Sequence, residues 1–166
     1  MTVTAAAAAM TAAMAFSSLA AVAKVGTQEF DSLQAAVNSV GQEPVVIDLE
    51  EDVTLTDGLV IGAGKNVTIQ CEAIDPKTIT MENLGIHTAG TLDNHCKVVL
   101  KNCNVNAVLS DYPGHSGETV NMISNTDFTL DNVKWNLKNQ EEKVKRHGIY
   151  LYQASNFYLK NGSVSH

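Results

Sequence analysis

The chain has 166 residues, of which 45% are hydrophobic, and its formal net charge at pH 7 is −7. This length suits one domain with a sizeable core, and the acidic balance argues against a nucleic-acid-binding surface. The charge is uneven, because residues 24–95 carry 12 acidic and 3 basic side chains while residues 96–166 carry 6 acidic and 8 basic ones.

Residues 1–23 carry no charge and consist mainly of alanine with other small or apolar residues. Ala21-Val22-Ala23 fits a signal-peptidase site, so the segment predicts a secretory signal peptide with Lys24 as the mature N-terminus. The basic start typical of such signals is missing, which leaves open a true start further upstream, or an uncleaved alanine-rich helix or tail. The most apolar part is too short to favour a transmembrane anchor. We therefore expect a secreted or cell-surface protein.

Residues 24–44 predict an N-terminal strand followed by a short helix. The strand is Val25–Phe30, and Asp31 with Gln34 three positions later fits a capping box at the start of a helix that Gly41 ends. The apolar residues on one face of this helix are Leu33, Ala36, Val37 and Val40. An amphipathic helix at this place is expected to cap the open end of a core and its unpaired strand edge.

Residues 92–164 contain one pattern written three times. Leu100, Leu130 and Leu159 recur at an almost constant interval, and each is followed two positions later by an asparagine. Apolar residues alternate within each repeat, as Val98 and Leu100 do, which is typical of strands. The period predicts an all-β solenoid over residues 45–166, with about 30 residues per rung reading strand, turn, strand, turn.

Earlier short strands are predicted within residues 44–69, at Pro44–Ile47, Val53–Leu55, Leu59–Ile61 and Val67–Ile69. Ile69 precedes Leu100 by nearly the same interval that separates the leucines, so the repeat extends backward and Cys71 takes the place that asparagine holds in later rungs. Two longer loops, Asn106–Thr119 and Leu137–His147, leave adjacent rungs at the same place in the cycle. Loops gathered on one face of a solenoid are typical binding sites.

The L-x-N rhythm, the asparagine column and the order of strand, helix and first rung resemble the right-handed parallel β-helix of the pectate lyase-like superfamily. The resemblance covers residues 24–166. It implies a right-handed coil with stacked leucines inside and an internal column of asparagines at a tight bend, formed by Asn102, Asn132 and Asn161. That superfamily includes lyases, hydrolases, tailspikes and adhesins, so the resemblance does not decide the activity.

The two loops supply the candidate binding residues. We expect them to converge because the loops leave neighbouring rungs, and their basic members favour acidic or sulfated sugars over nucleic acid. The candidates are Asp111, Tyr112, His115, Glu118, Lys143, Lys145 and Arg146. Tyr150, Tyr152 and Tyr158 add modest support for glycan binding.

Two short motifs provide candidates for catalysis. Asn125-Thr126-Asp127 resembles a motif of the polygalacturonase-like glycoside hydrolases, and Arg146-His147-Gly148 resembles their Gly-His-Gly segment with Arg in place of the first Gly. Asp127 and His147 are therefore candidate catalytic residues. The intervening Asp-Asp pair of that family is absent, and Asp127 falls where the other repeats carry Lys97 and Asn156.

The cysteines and acidic residues give no metal site by their spacing. The register places Cys71 and Cys103 on neighbouring rungs, where a disulfide would fit, but free buried thiols are favoured for these two and for Cys96. Acidic residues at four positions could hold Ca²⁺, although a solvated acidic face is the simpler interpretation. They are Glu50, Glu51, Asp52 and Asp57.

Together these patterns favour an exported β-helix module that binds carbohydrate or acts as an adhesin, without a cofactor. The alternative is an enzyme, either a polysaccharide lyase or a glycoside hydrolase acting on acidic polysaccharide. The last repeat ends at Val164, shortly before the sequence stops at His166, and nothing there resembles a capping element. We expect self-association, or continuation of the solenoid, through that open end.

Overall fold

The computed structural model describes residues 20–82, 84–109, 121–139 and 149–165. This part of the chain is built from short strands, with one short helix near its start. The elements are β1 (Ala23–Val25), β2 (Gln28–Phe30), α1 (Leu33–Ser39), β3 (Val45–Leu49), β4 (Val53–Leu55), β5 (Leu59–Ile61), β6 (Asn66–Gln70), β7 (Thr78–Met81), β8 (Ile86–Thr88), β9 (Cys96–Lys101), β10 (Asn104–Leu109), β11 (Met122–Ser124), β12 (Thr126–Asp131), β13 (Lys134–Asn139), β14 (Tyr150–Tyr152), β15 (Asn156–Lys160) and β16 (Ser163–Ser165).

The strands form three sheets that wind around one core as a β-solenoid with about 29 residues per rung. The seven-stranded sheet has the order β15-β12-β9-β6-β3-β1-β2, the five-stranded sheet β16-β13-β10-β7-β4, and the four-stranded sheet β14-β11-β8-β5. From β3 onward every neighbouring pair of these strands is parallel. The predicted all-β solenoid and its period are confirmed.

The register of the seven-stranded sheet stacks the leucines that revealed the repeat. Leu130 lies opposite Leu100 on one side and Leu159 on the other, and Ile69 continues the column beyond Leu100. Leu100 and Leu130 are fully buried. Equivalent residues on parallel neighbours are about 4.8 Å apart, so each apolar position extends a continuous core column along the solenoid axis.

The first four rungs each contain three strands, one in each sheet, where the repeat pattern indicated two. In the first rung all three were predicted, and Leu59–Ile61 is the third strand, β5. The strands β7 and β8 were not predicted, although Thr78–Met81 alternates half-buried and buried residues as a strand does. The third strands of the next three rungs have only three residues each, which is too short for the alternation to stand out from the surrounding turns. The repeat pattern therefore predicted the period correctly and missed the third strand of these later rungs.

The two predicted loops begin later than the sequence indicated. Asn106–Leu109 continues β10, and Leu137–Asn139 continues β13. The two strands pair along their whole length, from Asn104 opposite Lys134 to Leu109 opposite Asn139. Both strands gain backbone hydrogen bonds from this pairing, a contribution that neither segment reveals when its sequence is taken alone.

The N-terminal strand prediction was wrong in detail, because Val25–Phe30 is a hairpin and not one strand. β1 pairs antiparallel with β2, and Gly26 between them takes a φ of 60°, which glycine adopts without steric cost. β1 also pairs antiparallel with β3, so the hairpin continues the seven-stranded sheet.

Ala23, the residue expected to end the signal peptide, lies within β1 and is fully buried. The Val22 amide donates to the Phe30 carbonyl at 2.9 Å, and the Val22 carbonyl accepts from the Glu50 amide at 3.0 Å. A chain that began at Lys24 would lose both bonds and the buried Ala23 side chain.

The helix α1 packs the predicted apolar face, since Leu33, Ala36 and Val37 are buried. The capping-box prediction was wrong: Ser32 is the N-cap, and its hydroxyl accepts from the Ala35 amide at 3.1 Å. Gln34 instead reaches β5, where its side chain donates to the Val60 carbonyl and accepts from the Val60 amide. Across the described residues, α1 is too short to cross a membrane, and there is no other helix of sufficient length and apolar character to do so.

Candidate ligand-binding surface

Two excursions, the predicted loops, connect the five-stranded sheet to the four-stranded sheet at one corner, which we call the loop corner. The excursions start from the registered ends of β10 and β13 at Leu109 and Asn139, and they return at Met122 and Tyr150, which also lie opposite each other. Their connecting segments therefore begin and end side by side on adjacent rungs.

The predicted loop residues themselves lie outside the described part of the chain. The structure consequently does not place Asp111, Tyr112, His115, Glu118, Lys143, Lys145, Arg146 or His147. Their roles remain predictions, and the described surface beside the loop corner consists of the strands that flank it.

A polar column, which we call the outer ladder, runs across the five-stranded sheet beside this corner. The register places its members opposite one another on successive strands: Thr54, Thr80, Asn106, Asn136 and Ser165. The alternate residues of the same strands, such as Val105 and Trp135, are fully buried. Because side chains alternate along a strand, the outer ladder faces away from the core.

Hydrogen bonds between rungs hold the amides of the outer ladder in place. The Asn136 amide nitrogen donates to the Asn106 side-chain oxygen at 3.1 Å. The Ser165 hydroxyl donates to the Asn136 side-chain oxygen at 2.9 Å. Each amide offers two donor hydrogens and an oxygen with two lone pairs, so these bonds leave further hydrogen-bonding capacity for a ligand.

Two tyrosines face outward on the other side of the loop corner, and we call them the tyrosine pair. Tyr150 and Tyr152 flank Leu151 on β14, and their rings stack with centroids 6.2 Å apart and planes inclined by 23°. Both are exposed, at 42% and 47%. Stacked rings of this kind present a flat apolar face with a hydroxyl at one end, which suits the faces of sugar rings.

A basic side chain lies close to the outer ladder. Lys134 is two residues before Asn136 on β13, so it is on the same outward face, and it is exposed. Its ammonium would attract an acidic group on a ligand bound along the ladder.

Sequence reasoning missed the outer ladder, because it assigned Asn106 to a loop and attached no role to Asn136. The signal was present, since Asn106, Asn136 and Ser165 recur with the same period as the leucines. Only the strand register shows that Thr54 and Thr80 extend the same column.

The candidate catalytic residue Asp127 lies elsewhere, on the outer face of the seven-stranded sheet. The Asn156 amide donates to its Oδ1 at 2.8 Å, and His95 Nε2 lies 3.5 Å from the same oxygen. The hydrogen bond from Asn156, followed by the contact with His95, lowers the pKa of Asp127. An ionised Asp127 could act as a base or orient His95, but it could not serve as a general acid near neutral pH.

The other two residues of the Asn125-Thr126-Asp127 motif are buried in the structure. Asn125 turns the chain with a φ of 43°, and its amide donates to the Gly90 carbonyl at 2.9 Å. Thr126 donates to the Ser124 carbonyl at 2.7 Å. These contacts assign the first two motif residues to a bend in the coil.

The asparagines of the predicted column stand at the bend after each long strand. Asn102, Asn132 and Asn161 have φ values of 57°, 54° and 51°. The Asn132 amide donates to the Asn102 side-chain oxygen at 3.0 Å, and the Asn102 amide reaches the Cys71 carbonyl at 3.3 Å. Asn102 is half-buried and Asn132 exposed, so the column runs along the edge of the core and not inside it.

Two of the four acidic residues at positions 50–57 make local contacts. Glu50 lies 3.4 Å from the Lys24 ammonium, and Asp52 accepts from the Thr78 amide at 2.7 Å. Across the described ranges, no group of three or more His, Cys, Asp or Glu side chains is arranged to hold a metal ion.

Comparison of the chain with protein-family models, curated proteins and solved structures gives no match.

Proposed function

We propose that the protein is an exported carbohydrate-binding module whose ligand lies along the outer ladder and against the tyrosine pair. The observation that carries this proposal is the outer ladder itself, a row of hydroxyl and amide side chains that repeats once per rung. The rung spacing of about 4.8 Å is comparable with the length of one sugar residue in an extended glycan. Successive rungs would then meet successive sugar residues.

The neighbouring groups favour an acidic polysaccharide. Lys134 is on the same face as the outer ladder, and the predicted loop cluster of Lys143, Lys145 and Arg146 belongs to an excursion that starts at the adjoining corner. A carboxylated or sulfated glycan would gain charge-assisted hydrogen bonds from these side chains. Its binding should weaken as salt is added, since exposed charges are screened.

We also propose that the coil is right-handed, as in the pectate lyase-like superfamily, and that α1 caps its first rung. Parallel strands joined by crossovers within one sheet are right-handed in about 98% of cases. The helix supports the capping role because its buried face belongs to the core cluster and Gln34 is bonded to the backbone of β5.

The test is binding of purified oligosaccharides, neutral and uronic, measured by calorimetry at low and high salt. We expect Asn106→Ala with Asn136→Ala, and separately Tyr152→Ala, to weaken binding at least about tenfold, the equivalent of roughly 1.4 kcal/mol. The sequence grouped Tyr158 with the tyrosine pair, but Tyr158 lies on the seven-stranded sheet and the pair on the four-stranded one. The matched controls are therefore Thr68→Ala with Thr129→Ala, and Tyr158→Ala, which alter outward residues of the seven-stranded sheet. Equal losses in both sets, or no binding by the unmodified protein, would contradict the proposal.

A second candidate function is polysaccharide cleavage, favoured by the contact of His95 with Asp127 on an accessible face. Incubation of the protein with the same oligosaccharides, with and without Ca²⁺, tests for cleavage through the release of unsaturated products and new reducing ends. Product formation that Asp127→Ala abolishes would assign an enzyme in place of a binding module.

A further inference from the structure

Two cysteines from consecutive rungs meet at the bend between the seven-stranded and five-stranded sheets. Cys71 follows β6 directly, and its amide donates to the Lys101 carbonyl at 3.0 Å, as the amide of Asn102 does to Asp131 one rung later. Cys103 follows Asn102 and precedes β10. The two cysteines are 32 positions apart in sequence and belong to adjacent rungs.

The side chains of both residues point to the same place. Both are free thiols in the structure, their exposed fractions are 4% and 1%, and their sulfur atoms lie 2.6 Å apart. This separation is well inside the contact distance of two sulfur atoms that are not bonded to each other, and little beyond the covalent bond of about 2.05 Å. Cys96, the third cysteine, is also fully buried, but its thiol donates to the Gly62 carbonyl at 3.3 Å.

We propose that Cys71 and Cys103 form a disulfide bond that joins two consecutive rungs, and that Cys96 stays a thiol. The sequence already placed these two cysteines on neighbouring rungs, but it favoured three free thiols because a solenoid interior accepts cysteine as a small apolar residue. Export, which the N-terminal sequence predicts, would deliver the pair to a compartment where disulfides persist.

The chemistry requires a disulfide oxidant, such as oxidised glutathione or a thiol–disulfide oxidoreductase. The thiolate of one cysteine attacks a sulfur atom of the oxidant, forms a mixed disulfide and expels a thiolate, which takes a proton from water. The second cysteine gives its proton to water, attacks the sulfur of the first cysteine and expels the other half of the oxidant as a second thiolate, which is protonated in turn. Two cysteine thiols and one disulfide of the oxidant thus become one protein disulfide and two thiols. The hydrogen bond from Cys103 lowers the pKa of Cys71, which makes Cys71 the attacking residue.

A cross-link at this position closes the chain between β6 and β10. It restrains the unfolded chain more than the folded one, so it should stabilise the solenoid. It also fixes the register between two rungs of the five-stranded and seven-stranded sheets, next to the strand β10 that carries Asn106.

The test counts reactive thiols in the full chain after incubation with oxidised glutathione. The protein is denatured without reductant and alkylated, and its intact mass is measured by mass spectrometry. The linked peptides are then mapped after proteolysis. We expect one alkylated cysteine, Cys96, and three after reduction. Three reactive thiols without reductant, or a linkage that includes Cys96, would overturn the proposal.

Two variants sharpen the result. Cys96→Ala keeps the pair and should show no reactive thiol before reduction, whereas Cys103→Ala breaks the pair and should show two. Reductant should lower the melting temperature of the unmodified protein and of Cys96→Ala by roughly 5–10 °C. The melting temperature of Cys103→Ala should not change with reductant. The alkylation count is made on denatured chains, so it does not depend on the variants' folding.

Discussion

At the scale of single residues, asparagine does in this chain what an aliphatic side chain could not. Asn102 and Asn132 hold left-handed backbone at the bends, a conformation that asparagine tolerates better than most residues. Their side chains then bond along the axis at 3.0 Å. The same residue type, placed two positions into a strand at Asn106 and Asn136, forms the outer ladder instead. Position within the rung, and not residue type, decides which role an asparagine takes.

Asp127 provides a prediction at this scale. Its pKa is lowered from the ordinary 3.8 chiefly by the hydrogen bond from Asn156 and then by His95. A lowered pKa contributes stability at pH values above the ordinary pKa, and this contribution is lost as the pH falls through the lowered value. The contribution is small, because 32% of the Asp127 side chain is exposed and solvent screens its interactions.

We expect Asn156→Ala to raise the pKa of Asp127 toward its ordinary value. The measurement is a pH titration of the Asp127 carboxyl carbon by NMR. Asn104→Ala, on the five-stranded sheet, is the control and should leave that pKa in place. An unchanged Asp127 pKa in Asn156→Ala would mean that His95 and Lys97, and not Asn156, lower the pKa of Asp127.

At the scale of elements, backbone segments approach each other closely at the bends, and this limits which residues can stand there. Gly90 lies between β8 and β9, and a Cβ atom there would meet the Ser124 carbonyl oxygen at 2.6 Å and the Asn125 carbonyl oxygen more closely still. These atoms belong to the backbone of the next rung, which cannot move aside without disturbing the bend that Asn125 makes. Gly41, by contrast, has nothing within 4 Å of its Cβ position.

Gly90→Ala should therefore destabilise the solenoid by about 1–3 kcal/mol, the usual cost of forcing extra atoms into a packed site. Chemical denaturation followed by circular dichroism measures the change in unfolding free energy. Gly41→Ala is the matched control and should stay within about 0.5 kcal/mol of the unmodified protein. Equal stability of the two variants would show that the bend can relax.

At the scale of the whole molecule, core columns extend into the strands β14, β15 and β16, where their residues become accessible. Three apolar residues of these strands lie opposite fully buried residues of the preceding rung: Leu151 opposite Ile123, Leu159 opposite Leu130 and Val164 opposite Trp135. Yet their exposed fractions are 42%, 48% and 38%. Apolar surface together with a strand edge is a template for association with another chain.

We expect the protein to associate in a concentration-dependent way through these strands. Sedimentation velocity over a range of concentrations measures the association, and Leu159→Asp should weaken it by placing a charge in the apolar face. Val46→Asp is the control, since Val46 is 43% exposed on β3 of the same sheet and lies away from these strands. A monomer at all concentrations, or equal effects of both substitutions, would exclude this surface.

The solenoid, its period and its inward-facing apolar columns could be predicted from the sequence alone. These features follow from local rules, because alternation along a strand and a regular repeat are legible without any distant contact, as Leu100, Leu130 and Leu159 show. The sequence also located the bends, since left-handed positions favour asparagine.

The tertiary structure was needed to show the third strand of the second, third and fourth rungs, the hairpin before α1, the outer ladder and the contact between the Cys71 and Cys103 sulfur atoms. Each of these depends on which residue lies opposite which on the neighbouring rung. That register is fixed by backbone pairing between segments a whole rung apart in sequence, and an offset of one residue moves a side chain from the core to the surface. The candidate loops could be named from the sequence, but the polar face beside them became visible only when the strands were in register.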